Sequence, residues 1–287
     1  MEQQLYNRVY QLVTRIANIT KPKRATYTDA QILLVYMWAV LHDRPIYWAC
    51  DKNNWPIYLR RQTLPWPSTM TRRLRTGHIQ ILMKKIENSV RSKLPSGLCK
   101  WIDSKPLPIG RHTKDKNAGF GSAAGLMAAG YKLHVIADSR QGFAVWRVRP
   151  MNESESKIAR TLIPQLSGYC YLIGDRAYDS NKLYELCASY GIQLLTPQRS
   201  KNARGFGHRR HSRYRMRAMH LKDKIFGQSL LDSREQIERM FGRLTSFCCG
   251  LSPLPSWVRT LHRVRMWVHA KLIIYQIWST QLAPTMV

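Results

Sequence analysis

Asp103, Asp175 and Glu238 stand beside apolar runs in a chain that is otherwise poor in acids. Asp103 closes the run Leu98-Cys99-Lys100-Trp101-Ile102, and Asp175 follows Tyr169-Cys170-Tyr171-Leu172-Ile173-Gly174. Each run reads as a short buried strand ending in a carboxylate, and open α/β sheets place their chemistry at that edge. Glu238 lies on a helical stretch, 231–247, whose apolar stripe is Ile237, Met240, Phe241 and Leu244. Two strand tips and one helix can set three carboxylates round a pair of Mg²⁺ ions about 4 Å apart, with Mn²⁺ able to substitute. Such a pair neutralises the charge on the attacking and leaving oxygens of a phosphodiester. Without metal the carboxylates repel, so an empty site should be weakly ordered or partly protonated. The plainer alternatives are that the two aspartates only cap turns and that Glu238 pairs with Arg234 at i, i+4. Glu235, three residues before Glu238, is the fallback third acid.

The elements that must position these residues follow from pattern. Residues 1–95 read as a helical domain: Leu5, Val9, Leu12, Val13 and Ile16 repeat at helical spacing. Thr28-Asp29 can cap a second helix carrying Ile32, Leu33, Tyr36, Met37, Val40 and Leu41, with Tyr47, Trp48 and Trp55 in the same core. Pro67-Ser68 starts a helix that presents Arg72, Arg73 and Arg75, either as the recognition half of a helix-turn-helix or as a basic solvated helix in a helical bundle. Pro95-Ser96-Gly97 marks a boundary. Residues 96–250 then change period, in the order β-β-β-α-β-α-β, which predicts a mixed sheet with helices on its faces. Its strands are Leu98–Asp103, Tyr131–Asp138, Phe143–Val148, the run before Asp175, and Ile192–Leu195. Lys132 and His134 alternate with the buried face of their strand and so read as surface or DNA-facing residues. Residues 251–287 form a C-terminal helical segment.

Charge narrows the partners. The chain has 46 Lys+Arg against 17 Asp+Glu, a net charge of +29. A chain this basic meets a polyanion, and nucleic acid is the first candidate. The insertion 199–230 concentrates the effect: its first part, 199–224, reads as a basic loop and includes Arg209, Arg210, Arg213 and Arg215. No apolar run is long enough to span a membrane, and the N-terminus has no signal region. The six cysteines form no CxxC pair, which points to reduced thiols, a cytoplasmic setting and no structural zinc.

Four pieces in order carry a resemblance: Trp101-Ile102-Asp103-Ser104-Lys105-Pro106, Gly130-Tyr131-Lys132-Leu133-His134, Gly174-Asp175-Arg176-Ala177-Tyr178-Asp179, and Arg234-Glu235-Gln236-Ile237-Glu238-Arg239-Met240-Phe241. Over roughly residues 98–250 the chain resembles the DDE transposases of bacterial insertion sequences. The resemblance implies an RNase H-like catalytic domain that cuts DNA at element ends and joins it to a target. It implies Asp103, Asp175 and Glu238 as the metal-binding triad and Asn152 as the family's asparagine. It also implies a homodimer or higher assembly on DNA. The family's signature places Tyr three before the Arg and Lys seven after the Glu. Here those positions hold Leu231 and Thr245, leaving Arg243 as the substitute and Arg234 as the family's arginine. Two other readings share this fold: an inactive transposase-derived DNA-binding protein, and an RNase H-like nuclease or junction resolvase.

Overall fold

The computed structural model describes residues 2–17, 25–60, 63–92, 95–110, 113–123, 125–140, 142–198, 211–251 and 253–282. The chain forms two compact units, residues 1–93 with 244–287, and residues 94–243.

The first unit begins with helices α1 (Glu2–Ile16), α2 (Asp29–Leu41), α3 (Ile46–Ala49), α4 (Pro67–Leu74) and α5 (Gly77–Arg91). Thr28 starts α2 through a reciprocal cap: its Oγ1 accepts from Gln31 N at 3.1 Å, and Gln31 Oε1 accepts from Thr28 N at 2.8 Å. From Ile32 to Leu41 every residue of α2 is buried, so this helix is apolar all round and forms the centre of the unit. Trp38 stacks on Trp55 at 4.8 Å between ring centroids and meets Tyr6 edge-on at 4.8 Å. Trp55 therefore belongs to the expected core, whereas Tyr47 is exposed. Arg73 also differs from expectation. Its guanidinium pairs with Asp29 at 2.6 Å and donates to the Tyr27 carbonyl, so it ties α4 to the start of α2 instead of facing outward. Arg72 and Arg75 remain exposed.

The second unit is a six-stranded sheet with helices. Its elements in chain order are β1 (Cys99–Gly110), β2 (Gly119–Ala123), β3 (Leu126–Asp138), β4 (Gly142–Pro150), α6 (Glu155–Leu162), β5 (Cys170–Gly174), α7 (Asn181–Ser189), β6 (Ile192–Leu195), α8 (Arg213–Lys222), α9 (Ile225–Asp232) and α10 (Glu235–Ser246), whose last residues belong to the first unit. The helix α11 (Leu261–Leu282) then completes the first unit. β1 pairs antiparallel with β3 and parallel with β5; β3 also pairs with β2 and β4, and β6 lies parallel beside β5. This is the mixed sheet expected from the strand pattern, with antiparallel neighbours on one side of β1 and crossover-connected parallel ones on the other.

Three local expectations change. β1 does not end at Asp103 but runs on to Gly110, keeping its pairing with β3. The segment expected as a basic loop contains helix α8, and the stretch after it divides into α9 and α10 around Ser233-Arg234. Its residues 199–210, with Arg209 and Arg210, lie outside the described residues. Among the described residues no helix is long and apolar enough to cross a membrane.

Candidate active site

The parallel pairing of β1 ends one residue before Asp103. The last register pair between β1 and β5 is Ile102 with Gly174. Asp103 and Asp175 are the next residue on each strand, so the topology sets them side by side. Gly174 makes this possible, because a Cβ there would stand 2.9 Å from the Ile102 side chain and 3.0 Å from the Tyr178 ring. Beyond that point the strands part. Asp103 stays in β1, opposite Val135 of β3, while Asp175 starts a single 3-10 turn over Arg176–Tyr178 and caps it by accepting from Ala177 N at 2.9 Å.

Both carboxyls are held above the ordinary range. Burial pushes Asp103 up to about 6, with a hydrogen bond from Ser104 N opposing the shift and the negative charges of Asp175 and Glu155 adding to it. Burial raises Asp175 too; the Ala177 amide opposes this and Glu155 reinforces it. Arg234 acts on both aspartates as the opposing positive charge. Neighbouring acids that lack a cation between them favour the protonated form.

Glu155 is the acid that the sequence pattern did not single out. At the first position of α6 it resembles any carboxylate favoured by a helix N-terminus. Its Oε1 accepts from Ser104 Oγ at 2.7 Å and from Lys132 Nζ at 2.9 Å, tying α6 to β1 immediately after Asp103. Burial tends to raise this carboxyl, but the two hydrogen bonds and the Lys132 charge leave it lowered. The only advance signal was Lys132, which proves to be half-buried and engaged by Glu155. His134 departs further from expectation: it is 1% exposed, and burial holds it down to about 4, so the ring is neutral. β3 lies between β1 and β4, and α6 packs over it, so alternation along the strand does not lead to solvent. The Tyr178 hydroxyl is also buried, with no hydrogen-bond partner among the described residues, and the charges of Glu155, Asp103 and Asp175 all act on it.

Glu238 is placed differently from the two aspartates. It is 56% exposed and accepts from Arg234 at 2.8 Å, the i, i+4 bridge foreseen as its plainer role. Glu235 pairs likewise with Arg239 at 3.0 Å. The start of α10 is nevertheless anchored at the sheet. Trp101 Nε1 donates to Ser233 Oγ at 3.0 Å, and Phe241 stacks on Phe143 of β4 at 6.0 Å. Among the described residues no three His, Cys, Asp or Glu side chains come together closely enough to hold a metal ion. By donor chemistry Asp103 and Asp175 suit a hard divalent ion, and burial together with their acidic neighbours holds both carboxyls up.

The remaining candidates are scattered. Asn152, exposed in the turn before α6, lies so close over β2 that a Cβ on Gly119 would stand 2.1 Å from its Oδ1. Arg215 is committed to the buried Asp179 at 2.6 Å and is a structural cation. Arg213 is exposed and covers the Tyr214 ring at 4.8 Å. Arg243 is exposed on α10.

A family model described as a transposase DDE domain matches residues 95–277. Among solved structures the chain is similar to a piggyBac transposase synaptic complex with hairpin DNA, at 9% identity and a TM-score of 0.48, over 98% of this chain and 75% of that one. It is also similar to a simian T-cell lymphotropic virus intasome in complex with PP2A regulatory subunit B56 gamma, at 16% identity and a TM-score of 0.24, over 58% of this chain and 53% of that one. No curated protein sequence matches the chain.

Proposed function

For a chain that belongs to the transposase DDE-domain family, we propose a DNA transposase that cuts phosphodiester bonds at the ends of an insertion sequence and joins them to a target. The observation that carries this is the pair Asp103 and Asp175, adjacent at the parting of β1 and β5, with both carboxyls pushed up. In the working enzyme these two would hold divalent metal, Mg²⁺ first, with Mn²⁺ as its substitute. When bound, such ions supply the charge neutralisation and Lewis acidity that phosphodiester cleavage requires.

The chain's own residues do the positioning. Asp103 is fixed by its place within a continuous strand, and Asp175 by the turn it caps. Glu155, through Ser104 and Lys132, locks the segment after Asp103. Glu238 completes the triad in this proposal. It lies four residues after Arg234, which immediately precedes α10 and already acts on both aspartates. Release of Glu238 from Arg234, with that guanidinium turning to a DNA phosphate, would free the third carboxylate. Glu155 is the second candidate, favoured by its charge acting on both aspartates.

DNA is the proposed partner, met by Arg72, Arg75, Arg213 and Arg243 on exposed surface and by the 199–210 segment. Two copies or more would hold paired ends. The test is a cleavage and joining assay on terminal-repeat DNA with Mg²⁺ or Mn²⁺. Asp103→Asn and Asp175→Asn should lose both steps while still binding DNA, and Glu238→Gln should do the same if it is the third ligand. Joining of a pre-cut end separates a transposase from a hydrolytic nuclease, and undiminished cleavage by the aspartate variants would end the proposal.

A further inference from the structure

The opposite edge of the same sheet holds a second cavity with different chemistry. It lies at the N-terminal ends of β1, β5 and β6, has a volume of about 420 Å³, and is lined by Leu98, Tyr169, Tyr171, Arg217, His220 and Lys224 among others, with no acidic side chain in the lining. Tyr169 is 84% exposed, yet its ring does not hang free. It lies against Gly191, which has φ +70° and where a Cβ would stand 2.7 Å from two ring atoms. The glycine thus serves both the turn into β6 and the seat of the ring. A flat aromatic surface lies open to solvent against this glycine. Beside it, Tyr171 meets the exposed Phe226 edge-on at 5.5 Å between ring centroids. The side chains of Arg217 and Lys224 make no ion pair among the described residues, in contrast to Arg73 and Arg215.

We propose that this edge binds an unpaired nucleotide of a DNA strand, with the base stacked on Tyr169 and the adjoining phosphates met by Arg217, His220 and Lys224. The proposal rests on the reading that the protein handles DNA. An aromatic face beside unpaired cations is the recognition surface that single strands require, because every base offers a π-face and every linkage a charge. A base within duplex has both faces already covered and cannot use the ring. Tyr169 and Asp175 lie six residues apart along one strand, about 20 Å at about 3.3 Å per residue. The cavity therefore lies about 20 Å from the aspartate pair, which corresponds to about six base steps of intervening duplex at about 3.4 Å per step and to fewer nucleotides of extended single strand. Its part is to hold a flanking strand, separate from the chemistry.

The test uses the full chain and three probes: a blunt duplex, the same duplex with a short unpaired overhang, and an overhang bearing 2-aminopurine, whose fluorescence is quenched on stacking. Tyr169→Ala should weaken binding of the overhang about 10-fold and abolish the quench, while blunt-duplex affinity stays unchanged. Tyr169→Phe should restore both. Arg217→Gln and Lys224→Gln should each lower the salt slope on the single strand by about 0.7. Overhang binding by Tyr169→Ala at wild-type strength, or an equal loss on both DNAs, overturns the site. If the wild-type chain binds no DNA, the site and the transposase reading fail together. If it binds DNA without preferring the overhang, the site alone fails.

Discussion

Two carboxylates, one in each unit, are treated in opposite ways: Glu87, fully buried, and Asp103, half-buried. In the helical unit Glu87 is fully buried on α5, with Lys84 Nζ at 2.8 Å and His269 Nε2 at 3.3 Å. Burial alone would raise its pKa, but the bonds and charges of His269 and Lys84 win and bring it down to about 2. In the sheet unit Asp103 has one amide donor and two acidic neighbours, and it is pushed up to about 6. A carboxylate that serves the fold is supplied with its cations from the chain. Asp103, which the proposed reaction uses, has no ion pair among the described residues, and burial first and its acidic neighbours second hold it up.

The largest effect should appear at Asp103. Asp103→Asn should cut the strand-cleavage rate by about 10³-fold or more, since an amide cannot replace a carboxylate in holding the catalytic charge. A cleavage time course checks it, and a loss under about tenfold would erase the distinction between the two acids. Next in size, Glu87→Gln should cost about 1–3 kcal/mol in urea unfolding, because the largely buried His269 would lose its charged partner while the half-exposed Lys84 can turn to water.

The same substitution at Asp103 should act in the opposite direction on stability. With a chelator present at pH 7.5, Asp103→Asn should gain about 1–2 kcal/mol, since the folded wild type must ionise a group it disfavours. The pH windows differ accordingly. Glu87 is depressed from 4.5, so its contribution is complete above about 4.5 and is lost as pH falls through about 2. Asp103 is raised from 3.8, so its contribution is complete below about 3.8 and is lost as pH rises through about 6. Thermal melts of the wild type against each variant across pH 2 to 8 would show the two opposite slopes in the differences. The smallest effect belongs to the Glu235–Arg239 bridge, more than half exposed on both partners. Arg239→Ala should move stability by less than about 0.5 kcal/mol; a larger loss would mean that surface bridges on α10 matter more than their exposure implies.

What the sequence made legible were the features with a period or a sign. The apolar runs before Asp103 and Asp175 read directly as strands. The excess of Lys and Arg read directly as a surface for anions. Partnerships did not read. Arg73 and Arg215 resemble their neighbours in composition, and only folding brings Asp29 and Asp179 to them. The continuation of β1 beyond Asp103 was hidden because Pro106 and Pro108 break the pattern of a ladder strand. β2 was hidden because Gly119-Phe120-Gly121-Ser122-Ala123 has almost no apolar alternation. Glu155 looked like an ordinary helix-start acid until Ser104 and Lys132 were seen on it.

The uninterrupted course of β1 has a mechanical consequence. Asp103 is clamped by ladder bonds before and after it, whereas Asp175 rides on a one-turn coil at the end of its strand. In the proposed reaction any change of spacing between cleavage and joining would fall to Asp175 and to the helix bearing Glu238, while the Asp103 backbone stays where the sheet has put it.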